Sequence, residues 1–311
     1  MTLAIKAGVD RLNFKQEADN NLALLNWLTP IDYSTQQQDF ISRRQPGTGQ
    51  WLLDSNEYRL WMETRGKTLF CPGIPGAGKT MLAAIVVDHL LTRFGDDYDI
   101  GIAYLYCNFQ RQDEQKEVDI LSSLLKQLCR DTSTVPEELG ALQDKHKRNQ
   151  TRPSINELMK TLHLVIERYH RVFFIIDAID EYHFPWNSRS HFISNALEIQ
   201  AEGGLNLFVT SRFIPEITSR FTDCLTREIR ASNEDIERYL DGHISQLPSF
   251  VTKNESLQQE ITTAVIEAVD GMYVLVSHRT DHPLILIGFC LHSFILAHWW
   301  ERSLLKLCVW H

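Results

Sequence analysis

A glycine-rich stretch that ends in lysine and threonine is the part of the chain best suited to chemistry. Its sequence, Gly73-Ile-Pro-Gly-Ala-Gly-Lys-Thr80, fits the pattern G-x-x-x-x-G-K-[ST] without a mismatch. Glycines open backbone conformations that are closed to other residues, so successive N–H groups can point into one concavity and bind an anion. Lys79 supplies a mobile positive charge for phosphate oxygens, and the Thr80 hydroxyl is a ligand suited to Mg²⁺. The spacing predicts a phosphate-binding loop.

Such a loop needs a strand before it and a helix after it, because the N-terminus of a helix directs its dipole at the anion. Residues 67–71 (KTLFC) are a short apolar run typical of a buried strand, and residues 81–91 (MLAAIVVDHLL) have helical apolar spacing. This context disfavours the alternative, a Gly-Pro surface turn ahead of a helix. The predicted nucleotide-binding residues are Gly73, Pro75, Gly76, Ala77, Gly78, Lys79, Thr80 and Met81.

An apolar run followed by carboxylates is the second constellation. Val172–Ile176 is the most apolar short run in the chain, and Asp177, Asp180 and Glu181 follow it. Ligands of a parallel sheet bind at the carboxyl ends of its strands, so Asp177 is suited to hold the water shell of a Mg²⁺ that touches Thr80. A second acidic group can polarise a water towards the γ-phosphorus. The alternative is a buried strand followed by a solvated acidic turn.

Basic and amide side chains follow two other predicted strands. Arg212 comes directly after the strand at residues 205–211, so a guanidinium at the same sheet edge could contact the γ-phosphate and stabilise its charge. The alternative is an ordinary surface arginine at a strand end. Asn108, Gln110 and Arg111 follow a further strand, and for these three a surface role without ligand contact is favoured.

Composition excludes several classes of function. The 311 residues carry a net charge of −9, which argues against a nucleic-acid-binding surface or a patch for anionic membranes. The six cysteines are scattered without C-x-x-C or zinc-finger spacing, which indicates reduced thiols rather than a disulfide frame. Charged residues occur too near the N-terminus to leave room for the apolar stretch of a signal peptide. We therefore expect a soluble cytoplasmic protein.

Strand and helix patterns alternate up to residue 230 and become purely helical from Ser232 onward. This alternation predicts an α/β fold with a parallel sheet covered on both faces. A single helix is expected over 51–65, and residues 31–50 are expected to be a turn-rich linker. The predicted organisation is an N-terminal helix and linker (1–50), a P-loop domain (51–230), a small helical subdomain (231–280) and an atypical apolar tail (281–311).

Taken together with Gly47-Thr-Gly-Gln-Trp51 and Val209-Thr-Ser-Arg212, these motifs resemble the NACHT branch of the STAND P-loop NTPases. The form is the one common in fungal proteins, a nephrocystin-3-like amino-terminal domain. The similarity runs from about residue 20 to about residue 276. It implies a five-stranded parallel sheet in the order 5-1-4-3-2, flanked by helices, with the strand of Arg212 between the P-loop strand and the strand of Asp177.

The resemblance also implies roles. ATP or ADP with Mg²⁺ would be bound by the glycine-rich loop and by Asp177 as the Walker B carboxylate. Asp180 and Glu181 would support hydrolysis, Arg212 would be a sensor-type arginine, and Trp51 would be a weak candidate for a contact with the base. Family members are slow switches in which an ADP-bound closed form opens and forms homo-oligomers on exchange to ATP. Their protein partners cannot be read from this sequence.

Two departures from the family pattern stand out. No complete effector domain precedes residue 20, and residues 271–276 begin as the family does but do not continue into a winged helix. Residues 283–300 then contain no Asp, Glu, Lys or Arg. Three explanations of this tail are a membrane anchor, a helix that completes the core, and a translated intron or altered reading frame. The abrupt loss of polar character after Val276 favours the last.

These observations predict an ATP- and Mg²⁺-dependent switch module with slow hydrolysis at best. The alternative is a non-enzymatic interaction protein that binds nucleotide as a structural ligand or not at all, because the closing winged helix is missing. A metabolic kinase is a third and weaker option, since no segment for binding a phosphate acceptor is recognisable.

Overall fold

The computed structural model describes residues 19–108, 115–130, 136–182, 188–247 and 249–269. Helices and strands alternate through most of this range. The helices are α1 (19–28), α2 (Ser34–Ser42), α3 (Gln50–Leu53), α4 (Asn56–Glu63), α5 (Lys79–Phe94), α6 (Glu117–Arg130), α7 (Glu137–Asn149), α8 (Ile155–Ile166), α9 (Ser188–Gly203), α10 (Pro215–Thr218), α11 (Asn233–His243), α12 (Ser249–Thr252) and α13 (Glu255–Val269). The strands are β1 (Thr68–Pro72), β2 (Ile100–Tyr106), β3 (Arg171–Asp177), β4 (Asn206–Ser211) and β5 (Leu225–Thr226).

The strands form one parallel sheet in the spatial order β2-β3-β4-β1-β5. This is the predicted order 5-1-4-3-2 counted from the other edge, so both the α/β fold class and the topology are confirmed. The register aligns Pro72 with Ser211 and Tyr106 with Asp177. The loops that follow β1, β3 and β4 therefore leave the sheet at one common edge.

Helix α5 packs between the sheet and α2, and its middle residues are buried on nearly all sides. Ala83, Ala84 and Val86 are fully buried, which fits the uninterrupted apolar run of this segment. The Gln37 side chain of α2 donates to the carbonyl of Ala84 in α5 (2.9 Å) and accepts from the hydroxyl of Tyr106 in β2. These bonds satisfy a buried amide and fix α2 against the helix that follows the P-loop.

Two predictions for residues 31–65 are wrong. The expected linker contains α2, because Gln37 provides the buried polar contact just described. The expected single helix over 51–65 is two helices, since Ser55 leaves helical geometry and its hydroxyl caps α4 by accepting from the Tyr58 N–H (3.2 Å). The break turns Trp61 fully inward, where its indole donates to the carbonyl of Leu207 (3.0 Å).

The helices after residue 231 pack around a second hydrophobic core. We call residues 232–269, which contain these helices, the helical unit. Ser232 caps α11 by accepting from the Asp235 N–H (3.1 Å), as its sequence predicts. The side chains of Leu240 and Val251 are among those buried within this core. The predicted domain boundaries themselves stay predictions.

Several predictions lie outside the described residues. These are the N-terminal residues before 19, the positions of Gln110 and Arg111, the family-like start at 271–276 and the apolar tail at 281–311 with its three explanations. Within the range that the structure covers, no helix combines the length and apolarity that a membrane crossing requires.

Candidate functional site

The glycine-rich loop connects β1 to the N-terminus of α5. Gly76 (φ 78°) and Gly78 (φ 87°) both have left-handed backbone conformations, which glycine adopts without the steric penalty of a side chain. Gly78 is the N-cap of α5 and has no side chain with which to cap the helix. The first N–H groups of this 16-residue helix are therefore left for a ligand, and the helix dipole favours an anion there.

Lys79 begins α5, and its side chain folds back over the loop. The ammonium group donates to the carbonyl oxygens of Gly73 and Ile74, each at 2.9 Å. Burial lowers the pKa of Lys79, while the nearby carboxylates of Asp180 and Asp177 oppose that shift. Two neutral carbonyl groups thus hold the Lys79 ammonium against the glycine-rich loop. An anionic ligand bound in the loop can replace them as partners of this charge.

Asp177, at the end of β3, joins the P-loop helix to the neighbouring strand. Its Oδ2 accepts from the Thr80 hydroxyl and its Oδ1 accepts from the Thr210 hydroxyl, both at 2.7 Å. Burial raises the pKa of Asp177 to about 6, and these two hydrogen bonds and Lys79 counteract the shift. Sequence reasoning assigned no role to Thr210. The feature that could have identified Thr210 from the sequence is its position, one residue before the end of β4, the strand predicted to lie next to β3.

A left-handed residue turns the chain immediately after Asp177. Ala178 (φ 52°) donates its N–H to Thr210 Oγ1 (2.8 Å) and leads into a 3₁₀ turn over Ile179–Glu181. This turn directs the buried Asp180 carboxylate at Arg212, whose backbone N–H (3.0 Å) and Nε (2.5 Å) both donate to it. The structure thus brings Asp180 and Arg212 together as one pair, with the guanidinium half-exposed at the sheet edge.

The remaining predicted residues occupy the loop and its rim. Ala77 is fully buried, Pro75 is exposed, and Met81 is half-buried in the first turn of α5. Glu181 is half-buried at the end of the 3₁₀ turn. Asn108 donates its backbone N–H to the Gln115 side chain (2.9 Å).

The oxygen atoms at the centre of the site fit a magnesium ion. A threonine hydroxyl and a carboxylate, Thr80 and Asp177, lie next to each other at the mouth of the loop. Both are hard oxygen donors, which Mg²⁺ prefers. Among the residues that the structure describes, no cluster of three or more His, Cys, Asp or Glu side chains could hold a metal. This donor set suits an ion that completes its shell with phosphate oxygens and water rather than with a protein cage.

Residues 47–51 lie between α5 and the helical unit. The N–H of Gly49 and the indole Nε1 of Trp51 both donate to Asp235 (2.8 Å and 3.1 Å). The guanidinium of Arg227 lies 5.7 Å from the centre of the Trp51 ring. The sequence gives no sign of this contact of Asp235, because its partner Trp51 lies 184 residues away in the chain.

Comparison with known proteins gives one family and several similar folds. The family model described as "Nephrocystin 3, N-terminal" matches residues 47–212. No curated protein sequence matches the chain. Solved structures with a similar fold include domain III of the Thermotoga maritima replication initiation protein DnaA (14% identity, TM-score 0.41, covering 88% of this chain and 93% of that one).

Two others are Cdc6p from Pyrobaculum aerophilum and a Walker-type ATPase of Pyrococcus abyssi. The first has 16% identity and a TM-score of 0.43, covering 75% of this chain and 58% of that one. The second has 12% identity and a TM-score of 0.46, covering 79% of this chain and 73% of that one. The family match spans more than half of the 311 residues and includes the loop, Asp177 and Arg212. The chain therefore belongs to the nephrocystin 3 N-terminal family and has a P-loop NTPase fold.

Proposed function

We propose that this protein binds Mg²⁺-ATP and Mg²⁺-ADP and hydrolyses ATP slowly as a NACHT-type switch. The observation that carries the proposal is the pairing of Thr80 with the Asp177 carboxylate at 2.7 Å, at the uncapped N-terminus of α5. A phosphate-binding loop and a Walker B carboxylate that meet in this way are suited to a nucleotide triphosphate and its metal.

Each residue of the loop has a definable part in binding. The α5 N–H groups after Gly78 would donate to phosphate oxygens, and the Lys79 ammonium would exchange its two carbonyl partners for the β- and γ-phosphates. Thr80 would ligate Mg²⁺ directly and Asp177 would hold its water shell. When bound, the ion would neutralise charge on the phosphates.

Glu181 is the residue that we propose to polarise the attacking water. Both oxygens of the neighbouring Asp180 already accept hydrogen bonds from Arg212, which suits Asp180 to orienting that guanidinium. Arg212 would contact the γ-phosphate from the sheet edge and stabilise its developing charge. Asp180, which the sequence predicts to support hydrolysis, would then do so indirectly, by orienting Arg212.

The switch role extends the proposal to conformation and assembly. By resemblance to the NACHT branch, exchange of ADP for ATP would open the molecule and allow homo-oligomers to form. A net charge of −9 supports protein rather than nucleic-acid partners. The alternative function, nucleotide binding without turnover, is supported by the engagement of Asp180 with Arg212, because this pair makes Asp180 a structural partner of the guanidinium rather than a base for water.

Nucleotide binding by the full 311-residue chain tests the proposal. We expect Mg²⁺-ATP and Mg²⁺-ADP to raise the melting temperature, because a ligand of the native state stabilises it by mass action. Lys79→Ala should weaken binding by about a hundredfold in calorimetric titrations, since it removes one partner of a buried charge interaction. Lys160→Ala, an exposed lysine on α8, is the matched control. Equal affinity in Lys79→Ala and in the control would contradict the assignment.

Phosphate release separates the switch from its alternative. Glu181→Gln should retain nucleotide affinity and abolish turnover, because an amide cannot accept a proton from water. Glu198→Gln on the exposed face of α9 is the control. Binding without any phosphate release by the unmodified protein would favour the non-catalytic module.

A further inference from the structure

Asp235 is a buried carboxylate outside the phosphate site. It lies in the first turn of α11, is only 2% exposed, and accepts hydrogen bonds from two donors of residues 47–51, the Gly49 N–H and the Trp51 indole. A buried charge is costly unless it is paired and hydrogen-bonded, so these bonds are strongly favoured once the two segments meet. The carboxylate joins two segments that are far apart in the sequence.

A second side chain of α11 reinforces this contact. Arg238 lies one turn further along the helix, where its Nη1 donates to the carbonyl of Gly47 (2.9 Å) and lies 3.7 Å from Asp235 Oδ1. From the opposite side, Arg44 donates to the carbonyl of Thr48 (2.6 Å). Residues 47–51 are therefore held by backbone contacts to charged side chains, and α11 supplies two of these.

The same residues touch the P-loop helix. Gly49 has a φ of +75° and lies so close to α5 that a Cβ added to it would be 2.6 Å from Ile85 Cδ1 and 2.8 Å from Leu82 Cδ2. Leu82 follows Lys79 by three residues, within the first turn of α5. A displacement of residues 47–51 therefore acts on the part of α5 that begins at the phosphate site.

We propose that Asp235 is a positioning residue through which the helical unit sets nucleotide affinity. The inference rests on the proposed function, since it concerns affinity for nucleotide. With the Asp235 bonds formed, residues 47–51 press Gly49 against Leu82 and Ile85 and hold the start of α5 in place. With the bonds broken, α11 separates from the segment and the phosphate site loses this support. Energetic coupling between sites requires an element with two arrangements, and the proposal assigns these to the joint: bonded, as the structure has it, and broken.

Coupling of this kind is reciprocal. If the joint tightens nucleotide binding, bound nucleotide must tighten the joint by the same factor. In the unmodified protein, Mg²⁺-ATP should therefore slow hydrogen exchange of the Gly49 amide and of α11. The side-chain hydrogen bonds described for Asp235 go to Gly49 and Trp51, outside the glycine-rich loop. A purely local structural role of these bonds predicts no nucleotide dependence of this exchange.

The test compares variants of the full chain that differ in one hydrogen bond or one charge. Asp235→Asn retains the side-chain shape and loses the charge. Trp51→Phe removes the indole donor and retains an aromatic ring, although a smaller one, beside Arg227. Asp241→Asn makes the same charge change on the exposed face of α11 and is the matched control. We expect Asp235→Asn to weaken Mg²⁺-ATP binding by about tenfold, the range of typical coupling energies, Trp51→Phe to weaken it less, and Asp241→Asn not at all.

Two readouts keep the outcomes distinct. If the unmodified protein binds no nucleotide, the proposed function fails and the inference falls with it. If it binds nucleotide and all three variants bind equally well, the inference alone is overturned. If Asp235→Asn unfolds at low temperature, its nucleotide affinity is not informative. The inference is then tested by the affinity of Trp51→Phe and by hydrogen exchange of the Gly49 amide in the unmodified protein. Exchange that Mg²⁺-ATP leaves unchanged would overturn the inference.

Discussion

The α/β part of the molecule and the helical unit are stabilised by cores of very different size. The sheet and its helices bury large aromatic side chains, among them Trp61, Phe173 and Phe208, in one continuous core. The core of the helical unit is a short set of aliphatic side chains, namely Ile236, Leu240, Leu247, Val251, Ile261 and Val265, with Ala231 packed against them from the preceding segment. Small cores give marginal stability, so the helical unit depends on its attachment far more than the sheet does.

The attachments differ in chemistry as well. Helices α4 and α5 lie on the sheet through apolar surface, whereas α11 meets residues 47–51 through the carboxylate of Asp235 and the guanidinium of Arg238. Apolar packing tolerates small sliding, but a buried charge with fixed donors is either bonded or broken. The α/β part, which contains the glycine-rich loop, is therefore stabilised by a large apolar core, whereas the helical unit is attached to residues 47–51 through charged side chains.

The largest expected effect is the loss of the central tryptophan. Trp61→Ala should lower the free energy of unfolding by about 3–5 kcal/mol, because it leaves a cavity beside Phe173 and Phe208 and removes the hydrogen bond to Leu207. Denaturant unfolding followed by circular dichroism measures this. Leu60→Ala, an exposed neighbour on the same helix, is the control and should change little. Equal effects of the two variants would show that the sheet core is not packed as described.

A smaller and more local effect is expected in the helical unit. Leu240→Ala should destabilise α11 by about 2–3 kcal/mol, since a buried leucine is removed from a small core. Hydrogen exchange of residues 232–269 should accelerate while the main denaturant transition stays in place. A main transition that shifts as much as the exchange does would mean that the two parts unfold as one cooperative unit.

The smallest expected effects come from two matched helix caps. Ser154 caps α8 in the α/β part, where it forms a capping box with Glu157, and Ser232 caps α11 in the helical unit. Each serine to alanine change should cost about 1 kcal/mol. Ser154→Ala should lower the midpoint of global unfolding, whereas Ser232→Ala should increase hydrogen exchange of the helical unit alone. Identical responses in both experiments would remove the distinction between the two parts.

Local signals in the sequence were sufficient for most of the fold. The P-loop pattern and the apolar run before Asp177 each depend on residues close in sequence, and the structure has the corresponding loop and strand. The strand order came from the resemblance to a family and is confirmed. The break at Ser55 is not visible in the amphipathic pattern, which continues through it; in the structure Ser55 has extended backbone geometry and caps α4, and Trp61 of that helix is fully buried.

The candidate site was predictable to a lesser degree. Sequence could place Asp180 and Arg212 at one sheet edge, but their mutual hydrogen bonds depend on the left-handed turn at Ala178, which a non-glycine residue rarely adopts. The contacts of Thr210 and Asp235 join segments that are distant in the chain. Such contacts result from tertiary packing, and no periodicity or spacing encodes them.

The position of β4 in the sheet has a consequence for how the chain is made. Strand β1 ends at Pro72, yet both of its neighbours, β4 and β5, are synthesised only after residue 205. During translation both edges of the apolar β1 therefore stay unpaired while β2 and β3 emerge and pair with each other. Pairing between strands that are far apart in the chain slows folding, and unpaired strand edges promote aggregation. Nascent chains that end before Asn206 should therefore be the ones that need a chaperone.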